Sequence, residues 1–178
     1  MGTVFVDNLE PQSGTSLTLG ASGDSINLAS GATAGFGKVG QVQQTILSTT
    51  VSHNTNSYAA MGLDVNITPT STSSKILLFV NSYIVSSTQT ANVYFELRRG
   101  TTTIIGDTVI RIPQEAQAVY RFYNLVFNWL DSPSSTSQIQ YNLRARTNSG
   151  TLYLNRPGNQ GGFPDVADSV ITAMEILP

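Results

Sequence analysis

The chain has 178 residues, a formal net charge of -2, one histidine, no cysteine and only 11% charged residues, against a usual share of about 25%. That length holds one full-sized domain plus a short appendage, and the missing cysteines exclude disulfides and thiolate metal sites. Without a basic run there is no electrostatic footprint for nucleic acid or an anionic membrane. With lysine confined to Lys38 and Lys75, sheet edges lack their usual charged defence and are expected to be covered by neighbouring subunits.

Residues 1–12 begin with the short apolar strand Val4, Phe5 and Val6, followed by Leu9 and then Pro11, which disfavours helix for Glu10. They read as an attachment segment able to add to a partner's sheet. A basic region and a sustained apolar segment are both missing, so this is not a signal peptide. No run approaches the ~18 apolar residues of a spanning helix. A soluble protein made in the cytoplasm of the producing cell, without membrane insertion, is expected.

Residues 13–40 hold a repeat: Ser13-Gly14-Thr15-Ser16-Leu17-Thr18-Leu19, then Ser22-Gly23-Asp24-Ser25-Ile26-Asn27-Leu28, then Ser30-Gly31-Ala32-Thr33. Leu17 with Leu19, and Ile26 with Leu28, lie two apart and share one face of an extended segment. Units this short cannot bury their own apolar side. Identical copies around an axis hide it most economically, so an intertwined homotrimeric neck is expected. The alternative is a flexible Ser/Gly linker. Gly35, Gly37 and Gly40 then make a flexible junction; they match G-x-G-x-x-G, but no helix follows to present amides to a phosphate.

Residues 41–178 read as about ten strands and no helix beyond one turn at Gln114 to Val119: Val42 to Val51, Ala60 to Ile67, Lys75 to Val85, Asn92 to Arg98, Thr102 to Ile105, Val109 to Ile112, Tyr120 to Leu130, Gln138 to Arg146, Leu152 to Asn155 and Ser169 to Leu177. The fold class is therefore all-β, a jelly-roll-like β-sandwich head behind a short β-repeat neck. In Gln138 to Arg146, Ile139, Tyr141, Leu143 and Ala145 point inward. In Tyr120 to Leu130, Tyr123, Leu125, Phe127 and Trp129 are assigned to the core. The opposite phase carries Phe122, Val126 and Leu130, and Lys75 to Val85 is likewise apolar on both phases. A two-layer sandwich covers one phase only. Phe122, Val126 and Leu130 are therefore expected to meet neighbouring heads at a three-fold axis, with Asn124 and Asn128 partly buried there.

Catalytic, cofactor and metal sites are not expected. His53 stands alone in a polar strand end or loop, which excludes a two-histidine relay or cluster. The acids have local explanations: Asp107 and Asp131 in turns, Asp24 in the repeat, Glu96 and Glu175 on the polar phase of strands. The loop from Asn155 to Asp165 is the candidate contact. Arg156, Asn159, Gln160 and Asp165 can hydrogen-bond sugar hydroxyls and Phe163 can stack on a sugar face. The bland alternatives are a mobile connection, or Phe163 plugging a subunit seam.

Several strings occur together: Val6-Asp7-Asn8-Leu9-Glu10-Pro11-Gln12-Ser13-Gly14, the run from Leu19 to Ile26, Ile67-Thr68-Pro69 with Ser74-Lys75-Ile76-Leu77, Leu130-Asp131-Ser132-Pro133, Tyr153-Leu154-Asn155-Arg156, and Met174-Glu175-Ile176. Together they resemble a family of virion proteins of marine bacteriophages, cyanophages included, usually described as tail fibre or structural proteins. The resemblance implies a trimeric surface appendage of the virion with a β-sandwich head. Val4, Phe5, Val6 and Leu9 would dock it to other virion proteins of tail or capsid, and the head would meet a host surface polysaccharide. Relatives often carry a longer repetitive shaft, so a short fibre, a tip or a capsid decoration with no host-recognition role all fit.

Overall fold

The structure is a computed structural model that describes Ser13, Gly23 and residues 39–86, 92–106, 122–156 and 167–178, without the side chains of Ser86 and Phe122. The chain divides into two compact units, Met1–Phe36 and Gly37–Pro178. All described strands belong to the second. They are β1 (Val39–Leu47), β2 (Val51–His53), β3 (Ala59–Ile67), β4 (Lys75–Ser86), β5 (Val93–Arg99), β6 (Thr102–Ile105), β7 (Phe122–Asp131), β8 (Ile139–Thr147), β9 (Leu152–Leu154) and β10 (Ser169–Ile176). No helix occurs among the described residues. The expected strand at Val109 to Ile112 and turn at Gln114 to Val119 lie outside them.

Two antiparallel sheets face each other. Sheet A runs β1-β10-β4-β7, with β2 and β9 continuing the β1 and β10 positions, and sheet B runs β3-β8-β5-β6. Apart from the β5–β6 hairpin, successive long strands alternate between the sheets, and the first and last strands pair at one edge. That is a jelly roll.

Alternation decides the core. Tyr141, Leu143 and Ala145 of β8 are fully buried, as expected, and meet Met61, Leu63, Val65, Phe95 and Leu97 of the same sheet and Ile76, Leu78, Val80 and Ile171 of the other. Where β3 must bend, Gly62 adopts φ +70° and the register to β8 shifts between Ala60 and Asp64, a bulge that a side chain would strain.

The expected strand Val42 to Val51 is divided, and β9 stops before Asn155; one residue causes both. Asn155, fully buried at φ +54°, sits where Leu154 pairs Ile84 and Val170 pairs Asn81 on β4. Its backbone N–H donates to Tyr83 O at 3.1 Å. Its amide donates to Leu47 O and, at 3.2 Å, to Thr49 O, and its Oδ1 accepts from Ser169 Oγ at 2.6 Å. The backbone N–H, side-chain amide and Oδ1 of this buried residue are thus all hydrogen-bonded, as burial demands. Leu154 and Val170 thus meet β4 three positions apart, at Ile84 and Asn81.

The core assignment of Trp129 is corrected. It shares the phase of buried Leu125 but is 42% exposed, because among the described residues β7 pairs with β4 alone.

Candidate functional site

The two outer faces of the sandwich differ in chemistry. On sheet B the register places Tyr94 opposite Arg146, Glu96 opposite Arg144 and Arg98 opposite Asn142. Glu96 lies on the outer phase, as its position suggested, yet it is buried. Its Oε1 lies 2.6 Å from Arg98 Nε and 3.4 Å from Arg144 Nε, and its other oxygen accepts from Thr103 Oγ1 at 3.2 Å. Arg146 stacks on Tyr94 at 3.9 Å and on Tyr58 at 5.3 Å, a favourable arrangement of a cation over ring faces. Burial pushes the nearby Asp64 carboxyl above its usual range. The face carries an ionic network paired within the chain, beside which the buried Asp64 Oδ1 has no hydrogen-bond partner among the described residues.

Sheet A shows the reverse. Its outer phase carries Val42 and Ile46 from β1, Val170, Met174 and Ile176 from β10, Leu77 and Phe79 from β4, and Val126 and Leu130 from β7. Val42, Ile46, Phe79, Val126 and Leu130 are 51%, 55%, 43%, 62% and 50% exposed. The only charged residue on this phase of the four strands is Lys75, at the first residue of β4. A groove runs between β10, β4 and β7, lined by Phe79, Val126 and Val170 with Asn81, Asn128 and Thr172. Gln44, Thr172, Asn81 and Asn128 are interleaved among these side chains, Gln44 Nε2 donating to Thr172 Oγ1 at 2.9 Å; so many exposed large apolar side chains on one sheet face are unusual on a solitary soluble chain.

The carboxylates of sheet A point the other way. Glu175 is fully buried on the inner phase of β10, which corrects its assignment to a polar outer phase. Gln41 Nε2 donates to it at 2.8 Å, and Thr70 donates to it through its backbone N–H at 2.6 Å and its hydroxyl at 2.8 Å. Burial alone would push this carboxyl up, but these donors outweigh it and hold it at about 2. A Cβ at Gly40 would come within 2.8 Å of Leu177 Cδ2 and 3.2 Å of Glu175 Oε2, so glycine permits this close approach of β1. Asp131, at the inner end of β7, accepts from Tyr141 at 2.7 Å and pairs with Arg99 at 3.0 Å. Burial, and then the Asp131 bond, push the Tyr141 phenol far above its ordinary range.

The sequence-predicted residues distribute unevenly. Val126 and Leu130 stand on the apolar face; Phe122 begins β7 opposite Val85, with its side chain outside the description. Asn124 and Asn128 are exposed in the single chain. Leu17, Leu19, Ile26 and Leu28 of the neck, Val4, Phe5, Val6 and Leu9 of the attachment segment, and Asn159, Gln160, Phe163 and Asp165 of the loop lie outside the described residues. Arg156 is described and stacks over Tyr153 at 4.2 Å. Alternation within β4 and β7 pointed to this face but missed Val42, Ile46, Val170 and Met174, whose strands are too mixed to betray an outward apolar phase. His53 Nε2 lies 2.7 Å from Ala60 O, a structural bond. Among the described residues no group of three or more His, Asp or Glu could hold a metal ion, and no helix is long and apolar enough to cross a membrane.

No family model matches the sequence, and no curated protein matches it. Among solved structures, the chain is similar to one of the Gt strain of infectious bursal disease virus, with 14% identity and a TM-score of 0.42 over 87% of this chain and 42% of that one. A chain from the Gx strain of the same virus gives 12% identity and a TM-score of 0.39 over 87% of this chain and 47% of that one. This chain thus spans less than half the length of either. The jelly-roll assignment stands on the strand order itself.

Proposed function

We propose that the chain is a bacteriophage virion structural protein: a short trimeric surface fibre that docks on the particle through its N-terminal segment and meets the host surface with its jelly-roll head. The carrying observation is the outer face of sheet A, rich in exposed apolar side chains and charged only at Lys75, which suits a subunit of an assembly rather than a free monomer. The kind of assembly comes from the phage virion resemblance of the sequence, since a jelly roll by itself serves many functions. The neck leucines and Ile26 supply the trimer, and the loop around Arg156 supplies a contact for host polysaccharide.

A second reading, a capsid decoration protein without host recognition, is favoured by the brevity of the repeat, which has only two or three units before the head. An enzyme is not proposed: among the described acids, Glu96, Asp131 and Glu175 are each engaged by arginines, a tyrosine or amide donors. Cryo-microscopy of the particle separates the readings. Density on the tail supports the fibre, whereas density only at capsid symmetry axes overturns host recognition in favour of decoration.

A further inference from the structure

We propose that the outer face of β1, β10, β4 and β7 is closed by a second copy of the same chain, packed over the groove between Phe79 and Val126. This rests on the reading of the chain as a self-assembling subunit, and adds the surface through which the heads meet.

Three features point to a like copy. The first is chemical: with Lys75 at one end as its only charge, the face offers no electrostatic handle for a charged partner, and depletion of charge at an apolar centre is typical of interfaces between identical subunits. Asn81, Asn128 and Thr172 line the groove beside Phe79 and Val126, so polar groups are at hand to pair across a seam that is otherwise apolar.

The second is size. Strands about 4.8 Å apart and about eight residues deep at about 3.4 Å per residue give four strands a flat footprint of roughly 500 Å2 before side-chain relief. That is more than half of the roughly 800 Å2 each partner contributes to a stable interface.

The third is where the chain enters. β1 starts at Val39 on this same sheet, so residues 1–38 join the head at a strand of the face. Copies packed by that face with their β1 strands adjacent would bring these entry points together, as the apolar pairs expected of the repeat would use.

The test uses the full chain, with sedimentation velocity for mass and hydroxyl-radical labelling for exposure. The proposal expects a multimer in which Phe79 and Met174 label several-fold less than in the Val126→Asp variant, with Gln140→Asp on sheet B leaving protection intact. Ile46→Asp is a second way to open the face should Val126→Asp fail to fold. A single-chain mass with Phe79 protected would overturn the proposal and assign the face to residues 1–38. A multimer in which Phe79 labels as a free aromatic would overturn it too, since the copies would then meet elsewhere. A multimer that uses this face but is absent from purified particles would sink the virion reading alone.

Discussion

The two outer faces are built from strands of the same sandwich, yet one pairs its charges within the chain and the other shows large apolar side chains to its surroundings. Sheet B places Glu96, Arg98, Arg144 and Arg146 outside and pairs them with one another and with tyrosines. Sheet A inverts the pattern: its carboxylates, Glu175 and Asp131, are inside at strand ends, and its outer phase shows Phe79, Val126 and Leu130. In a chain so poor in charge, the difference shows where charge is spent. Polar groups are used to close sheet B and to fasten the ends of sheet A, and the centre of sheet A is left for something else to cover.

Perturbing each side should give unequal effects. The largest is expected inside sheet A: Asp131→Ala leaves Tyr141 without its acceptor and Arg99 without its partner, at a cost of about 3 to 4 kcal/mol, read as a lowered denaturant midpoint. Acid comes next. Because Glu175 is held at about 2 against an ordinary 4.5, its contribution is fully present above the unfolded value. It is lost as pH falls through that window, by on the order of 3 kcal/mol. Stability measured from pH 6 down to 2 should show this, and Glu175→Gln should flatten that part of the profile. A profile unchanged by the substitution would refute the role given to the clamp.

On sheet B, Glu96→Ala leaves Arg98 and Arg144, each about a quarter exposed, without their shared partner. Water relieves part of that loss, so about 2 kcal/mol is expected, again by chemical denaturation. The smallest effect on the fold belongs to the apolar face. Phe79→Ser at an exposed position should change the unfolding free energy of a single head by no more than about 0.5 kcal/mol, while reducing self-association in sedimentation. A large loss of fold stability with association intact would reverse the contrast between the faces.

The legible part of this fold is the part settled by local alternation. The inward phase of β8 could be read from Tyr141, Leu143 and Ala145, and two-sided apolarity marked β4 and β7 as needing a second cover. β10 resisted because Ser169, Ile171, Ala173 and Glu175 look no more apolar than Val170, Thr172, Met174 and Ile176. The decision between its phases is made by Gln41 and Thr70, more than a hundred positions away in sequence. The break between β1 and β2 was equally invisible, since Asn155 makes it from 108 positions away. Trp129 followed the correct phase, but its exposure depends on β7 having β4 as its one neighbour among the described residues, which is a property of sheet order.

The central claim is that the outer face of sheet A is a surface between copies of this chain. Its most direct test is a cryo-microscopy reconstruction of the purified full-length assembly at side-chain resolution. The account predicts heads meeting through β1, β10, β4 and β7, with Phe79 and Val126 buried and the arginines of sheet B turned to solvent. An assembly joined through sheet B, or one in which Phe79 and Val126 remain open to water, would contradict it.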